Sequence, residues 1–169
     1  MRVAALGRAM LDGMAKGGVV GVVKHMPGHG RGVVDSHYEL PVVDADETAL
    51  EKDIEPFRTL NTAPMGMTCH VVFKAWDADN PATLSPTVIR EVIRGRIGFD
   101  GLLMTDDIDM KALSGTAGEK AAQAIAAGVR RRARLLGADG RDGGDCRTTG
   151  RRAASDAGAA GAGDGERAA

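Results

Sequence analysis

Residues 19–25 read Val-Val-Gly-Val-Val-Lys-His, a β-branched apolar run that ends in a lysine and a histidine. Bounded upstream by Gly17-Gly18, it reads as a buried strand that empties into polar chemistry. Two later stretches repeat the form. Residues 65–72 read Met-Gly-Met-Thr-Cys-His-Val-Val, and residues 101–107 read Gly-Leu-Leu-Met-Thr-Asp-Asp. Helical patterns separate them. Val3, Leu6, Met10 and Met14 recur at helical spacing before the first strand. Asp44 and Glu47 have capping-box spacing ahead of an apolar stripe at Leu50, Ile54 and Phe57. Ser85-Pro86 is a helix-start signal for a stripe at Val88, Ile89, Val92, Ile93 and Ile97, ending at Gly98. Thr116 and Glu119 open an Ala-rich helix that stops at Gly128. Alternating strands and helices predict an α/β fold with a parallel sheet covered by helices. Polar groups end all three strands: Lys24-His25, His70 and Asp106-Asp107. A doubly wound sheet binds ligands only at its switch point, whereas a (β/α)8 barrel uses the carboxyl end of every strand. A (β/α)8 TIM barrel is therefore expected ahead of a doubly wound sheet, and a segment about half the usual ~250 residues can form only a partial one.

The loop behind the first strand is dense in titratable groups. Residues 24–37 contain His25, His29, His37, Lys24 and Asp35, and such loops on a rigid element concentrate binding and catalytic groups. Asp35 and His37 are two apart, so in extended backbone their side chains share a side and the carboxylate can orient the imidazole. Ser36 between them points the other way, which argues against a Ser/His/Asp triad. Asp106, fixed at a strand end, suits a nucleophile or a stabiliser of an oxocarbenium-like centre, although Asp107 and Asp109 compete for the assignment. Lys24 and His25 suggest donors to a polar ligand. Metal binding through His25, His29, Asp35 and His37 is the rival reading, but the spacing matches no standard zinc pattern.

Composition narrows the function classes. A chain of 169 residues with 43% apolar content can build one real core, and a net charge of −1 gives no electrostatic reason to expect nucleic acid or an anionic membrane. One Trp, one Tyr and three Phe leave little for base stacking. Cys69 and Cys146 make neither a disulfide framework nor a CxxC pair, so a reducing compartment is compatible. Arg2, Arg8, Asp12 and Lys16 interrupt any signal-peptide core, and no apolar run approaches the ~20 residues of a membrane span. A cytoplasmic location is expected.

From Val129 the composition breaks. Of the last 41 residues, 33 are Ala, Gly, Arg or Asp, with nine Arg and no Lys. Such a segment cannot bury enough apolar surface to offset its conformational entropy, which predicts a domain over 1–128 and a disordered tail over 129–169. Arginine without lysine beside Gly and Ala also fits a GC-rich gene read out of frame. Permitted codons for residues 129–142, read one base later, encode Cys-Asp-Val-Ala-Leu-Asp, the apolar strand the alternation requires. A frameshift near Val129 is the expectation.

Taken together, Lys24-His25-Met26-Pro27-Gly28-His29-Gly30, Asp35-Ser36-His37, and Gly98-Phe99-Asp100-Gly101 leading to Thr105-Asp106-Asp107 resemble the β-N-acetylhexosaminidases of glycoside hydrolase family 3. Family members read K-H-F-P-G-H-G, D-S-H, G-F-x-G and [ST]-D-[DA], so Met26 for Phe is a mild departure. The resemblance implies a (β/α)8 barrel that removes terminal N-acetylglucosamine from peptidoglycan-derived saccharides with retention, in the cytoplasm, without metal or organic cofactor. Carried over by motif, Asp106 is the nucleophile, His37 the general acid/base oriented by Asp35, and Lys24 with His25 bind the sugar. The family also holds the sugar with an aspartate and arginines from the first half of its barrel, which no residue of this chain matches. The out-of-frame peptide resembles the family's C-D-V-A-L strand. The chain is accordingly expected to be an N-terminally truncated, frameshifted middle of a barrel, with exposed edges and apolar helix faces. A non-catalytic remnant and a metal-binding module are the alternative functions.

Overall fold

The computed structural model describes residues 2–129. Helix α1 (Arg2–Lys16) leads into β1 (Val22–Met26). The short β2 (Val42–Val43) and α2 (Glu47–Thr59) precede β3 (Met65–Thr68), β4 (Val72–Phe73) and β5 (Asp77–Pro81). A 3-10 turn (Ala82–Leu84) and a wide-wound π-helix (Val88–Arg96) lead to β6 (Leu102–Met104) and α3 (Ala117–Ala127).

Strands β1, β3 and β6 form a parallel sheet in the order β1-β3-β6, with Val23 opposite Gly66 and Gly66 opposite Leu103. Parallel neighbours need long crossovers. Helix α2 supplies the first and the π-helix the second, so the predicted α/β alternation is present. Each strand is shorter than expected. Val19 and Val20 lie outside β1 and are more than half exposed, while Lys24-His25-Met26 belongs to the strand itself. The peptide bonds Lys24–His25 and Met26–Pro27 are cis.

The run at residues 65–72 is not one strand. It leaves the first sheet after Thr68, where the Cys69 N–H donates to the Met26 carbonyl, and re-enters pairing at Val72 in a second sheet of order β2-β4-β5. There β4 runs parallel to β2 and antiparallel to β5. Thr68, Cys69, His70 and Val71 are all buried at this switch.

The stripe Val3, Leu6 and Met10 faces outward, each about 70% exposed. Helix α1 packs instead through its small residues. Ala4 is buried, and a Cβ on Gly7 would sit 3.0 Å from Leu60 Cδ1. Close approach of helices favours that small face over the bulky one.

The Asp44–Glu47 capping box expected for α2 does not form. Its cap is Asp46, whose side chain accepts from the Ala49 N–H, and Asp44 pairs with Lys74; the later helix signals hold. Ser85 Oγ accepts from the Val88 N–H at 3.0 Å, and Val88, Ile89, Val92, Ile93 and Ile97 are all buried. Thr116 and Glu119 make the full capping box, and Gly128 closes α3 at φ 110°. Val129, which the sequence reading placed outside the domain, packs in the core. The expectations of a disordered tail and an out-of-frame origin beyond it, and Cys146, lie outside the described residues.

Phe99 explains the Gly-Phe-Asp-Gly motif. Its ring is 1% exposed, and a Cβ at Gly66 would meet it at 2.8 Å. At Gly101 a Cβ would lie 2.6 Å from the Ala63 carbonyl oxygen, so only glycine lets this loop dock under β3. Arg94 Nη1 donates to the carbonyls of Phe99 and Gly101, which locks the entry to β6. Among the described residues no helix is long and apolar enough to cross a membrane.

Candidate active site

The carboxyl ends of β1, β3 and β6 converge. His25 projects from the end of β1, His70 follows β3, and Asp106 stands two residues after β6. His25 Nε2 lies 3.4 Å from Asp106 Oδ2, with side-chain exposures of 29% and 21%. Burial pushes the His25 imidazole below its ordinary pKa, partly opposed by the Asp106 carboxylate. The pair is thus a carboxylate beside an imidazole that resists protonation. His29 stacks edge-on against His25 with ring centroids 5.9 Å apart. Lys24 is exposed on the same strand.

The acidic turn after β6 divides its labour. Asp106 Oδ1 accepts from the Asp107 N–H, leaving Oδ2 toward His25. Asp107 spends Oδ1 on the Asp109 N–H, and its carbonyl accepts from the Met110 N–H. Asp107 and Asp109 are exposed turn residues. Of the three side chains, Asp106 is the one that reaches a residue of another strand, whereas Asp107 meets His70 only through its carbonyl.

The histidine loop is tied at both ends. Arg31 pairs with Asp53 of α2 and reaches the Ala49 carbonyl. His29 Nε2 and Ser36 Oγ are 3.2 Å apart, and Ser36 is buried, so the serine closes the loop on itself. Asp35 and His37 do meet, yet through a turn and not through extended backbone. The Asp35 carbonyl accepts from the N–H groups of Tyr38 and Glu39, while its Oδ1 accepts from the His37 N–H at 2.9 Å and from ring Nδ1 at 2.7 Å. The carboxylate therefore fixes a proton on Nδ1 and leaves Nε2 free to exchange protons. These bonds, from the backbone N–H first and the ring second, hold the Asp35 carboxyl below its usual pKa. His37 is 71% exposed, and its hydrogen bonds run to Asp35 and, through its carbonyl, from the Lys111 N–H, none of them to Asp106.

A buried network lies beneath this surface, in which the sequence pointed to His70 at a strand end but not to its partner Thr83 or to Lys120. His70, 1% exposed, contacts Thr83 Oγ1 at 2.8 Å through Nδ1 and the Asp107 carbonyl at 2.9 Å through Nε2. Thr83 Oγ1 also lies 2.8 Å from Thr68 Oγ1 and 2.9 Å from the Cys69 carbonyl oxygen. Lys120, 7% exposed, donates to the Ile108 carbonyl at 2.8 Å. Lys120, Ala124 and Ala127 share a helix face, so the spacing could have marked the lysine as inward; nothing local marks Thr83. Burial pushes the Cys69 thiol up to about 12, which removes it as a nucleophile. No group of three or more His, Cys, Asp or Glu among the described residues is arranged to hold a metal ion.

Residues 1–130 match the family model of the glycosyl hydrolase family 3 N terminal domain. A β-hexosaminidase of Chromobacterium violaceum is 40% identical over 131 residues, covering 75% of this chain and 36% of that protein. A glycoside hydrolase family 3 β-N-acetylglucosaminidase from Paenibacillus sp. superposes with a TM-score of 0.70 at 40% identity, over 74% of this chain and 25% of that one. NagZ from Neisseria gonorrhoeae, in complex with N-trifluoroacetyl-D-glucosamine, superposes with a TM-score of 0.66 at 36% identity, over 76% and 38%. The chain spans about a third of the length of the curated relatives it matches.

Proposed function

The chain belongs to glycosyl hydrolase family 3, and on that premise we propose that it carries the catalytic centre of a retaining β-N-acetylglucosaminidase built on part of a (β/α)8 barrel. Asp106 attacks the anomeric carbon of a terminal N-acetylglucosamine. His37 protonates the departing glycosidic oxygen from Nε2, and the C1–O bond breaks as the Asp106–C1 ester forms. In the second half, His37 removes a proton from water, which attacks C1 and frees the Asp106 carboxylate with the β configuration retained. Asp35 holds the His37 tautomer; Lys24 and His25 bind sugar hydroxyls. No metal or organic cofactor enters either step.

The contact between His25 Nε2 and Asp106 Oδ2 carries this reading, because it joins the two motifs at one place. The His37 loop must fold inward over the sugar for transfer, and its exposed turn leaves room for that. The substrate class is peptidoglycan-derived saccharide, encountered in the cytoplasm. The test is release of 4-nitrophenol from 4-nitrophenyl N-acetyl-β-D-glucosaminide. Release that disappears in Asp106→Asn supports the reading; no release by the unsubstituted chain marks it as a non-catalytic member of the family.

A further inference from the structure

We propose that His70 and Lys120 are positioning residues for Asp106, two buried donors that clamp the successive carbonyls of Asp107 and Ile108 and so fix the turn that aims the carboxylate. The inference rests on Asp106 being the nucleophile. His70 reaches the turn from the end of β3 and Lys120 from the first turns of α3, so the clamp closes from two elements.

Proton accounting sets the state of His70. A carbonyl only accepts, so Nε2 carries a hydrogen toward Asp107. The Thr83 hydroxyl has one hydrogen and two acceptors in reach, the Cys69 carbonyl and His70 Nδ1. If it served Cys69, Nδ1 would have to donate and the ring would be a buried cation. Burial disfavours that form and pulls the His70 pKa down, so Thr83 donates to Nδ1 and Thr68 donates to Thr83. The result is a neutral Nε2–H tautomer with its donor end fixed on the Asp107 carbonyl.

Lys120 is hard to explain by stability alone. Among the described residues its one hydrogen-bond acceptor is the Ile108 carbonyl, which offsets little of the desolvation of a buried amine. It also stands near the amino end of α3, where the helix dipole disfavours a cation. Its position has a use if the turn beside the carboxylate must not move, since small displacements of a reacting group cost rate steeply.

The experiment compares His70→Leu, His70→Gln and Lys120→Met in the full chain. With 4-nitrophenyl N-acetyl-β-D-glucosaminide, His70→Leu and Lys120→Met lower kcat about ten-fold or more with KM within about two-fold, and His70→Gln, which keeps an amide donor, restores kcat to within about three-fold. Unchanged kcat in both apolar variants, or failure of the glutamine to restore it, overturns the proposal. A second readout needs no turnover: amide exchange at Met110, whose N–H bonds the Asp107 carbonyl, accelerates in His70→Leu and Lys120→Met and recovers in His70→Gln, while β6 amides stay protected. If the unsubstituted chain shows no turnover, the hydrolase reading fails; if Met110 exchange is also unmoved, the clamp fails on its own account.

Discussion

His25 Nε2 and Asp106 Oδ2 lie 3.4 Å apart although their strands, β1 and β6, are not neighbours but flank β3. Strands two places apart in a sheet are separated by roughly 10 Å, so both side chains lean across the end of β3 to meet. That strand ends at Thr68 and turns away at once, which leaves the space above it open for the contact.

Stability should fall on acidification below pH 6.5. His25 and His70 both have folded-state pKa values beneath the ordinary 6.5, each first through burial. The unfolded chain binds more protons there than the folded one, so stability is complete above 6.5 and is lost as pH falls toward the folded values. Urea midpoints measured between pH 7.5 and 5 should drop, and His70→Gln should flatten the drop.

Gly101→Ala should destabilise by about 1–3 kcal/mol through overpacking. The new methyl would meet the backbone oxygens of Ala63 and Pro64 as well as Phe99. Urea unfolding measures the loss, and Gly30→Ala, where nothing lies within 4 Å of the added Cβ, is the control.

Arg31→Ala should loosen the histidine loop with little change in unfolding midpoint, because its ion pair with Asp53 is exposed and solvent-screened. Backbone relaxation at residues 29–37 should register greater motion, with α2 unaffected.

Asp35→Ala should lower kcat about ten-fold to a hundred-fold while leaving KM near its original value. Without Oδ1 the His37 ring loses the acceptor of its Nδ1 proton, while the Asp35 carbonyl still closes the turn on Tyr38 and Glu39. Steady-state kinetics separate the two constants.

Much of this was legible in the sequence where a signal was local. The capping box at Thr116 and Glu119 and the stripe from Val88 to Ile97 state their elements directly, and each of the three apolar runs marks a strand of the parallel sheet without giving its ends. What escaped depended on distant partners. Val72 pairs with Val42 and Pro81, which divides one apolar run between two sheets. Val3, Leu6 and Met10 have helical spacing, but the small residues Ala4 and Gly7 decide which face packs. At the site, spacing pointed to Asp35 with His37, although the extended geometry assumed for that pair is a turn, while the contact of Asp106 with His25 came only with the fold. Thr83 acts through the His70 ring and Lys120 through the Ile108 carbonyl, and no one-dimensional pattern encodes such partners.

The most direct test of the central claim is covalent trapping. A 5-fluoro-N-acetylglucosaminyl fluoride has a good leaving group and a slowed second step, so an ester on the nucleophile accumulates. The full chain treated with it and digested should yield one modified peptide, with the sugar mapped by mass spectrometry to Asp106. Modification at Asp107 or Asp109, or turnover with no adduct on Asp106, would contradict the account.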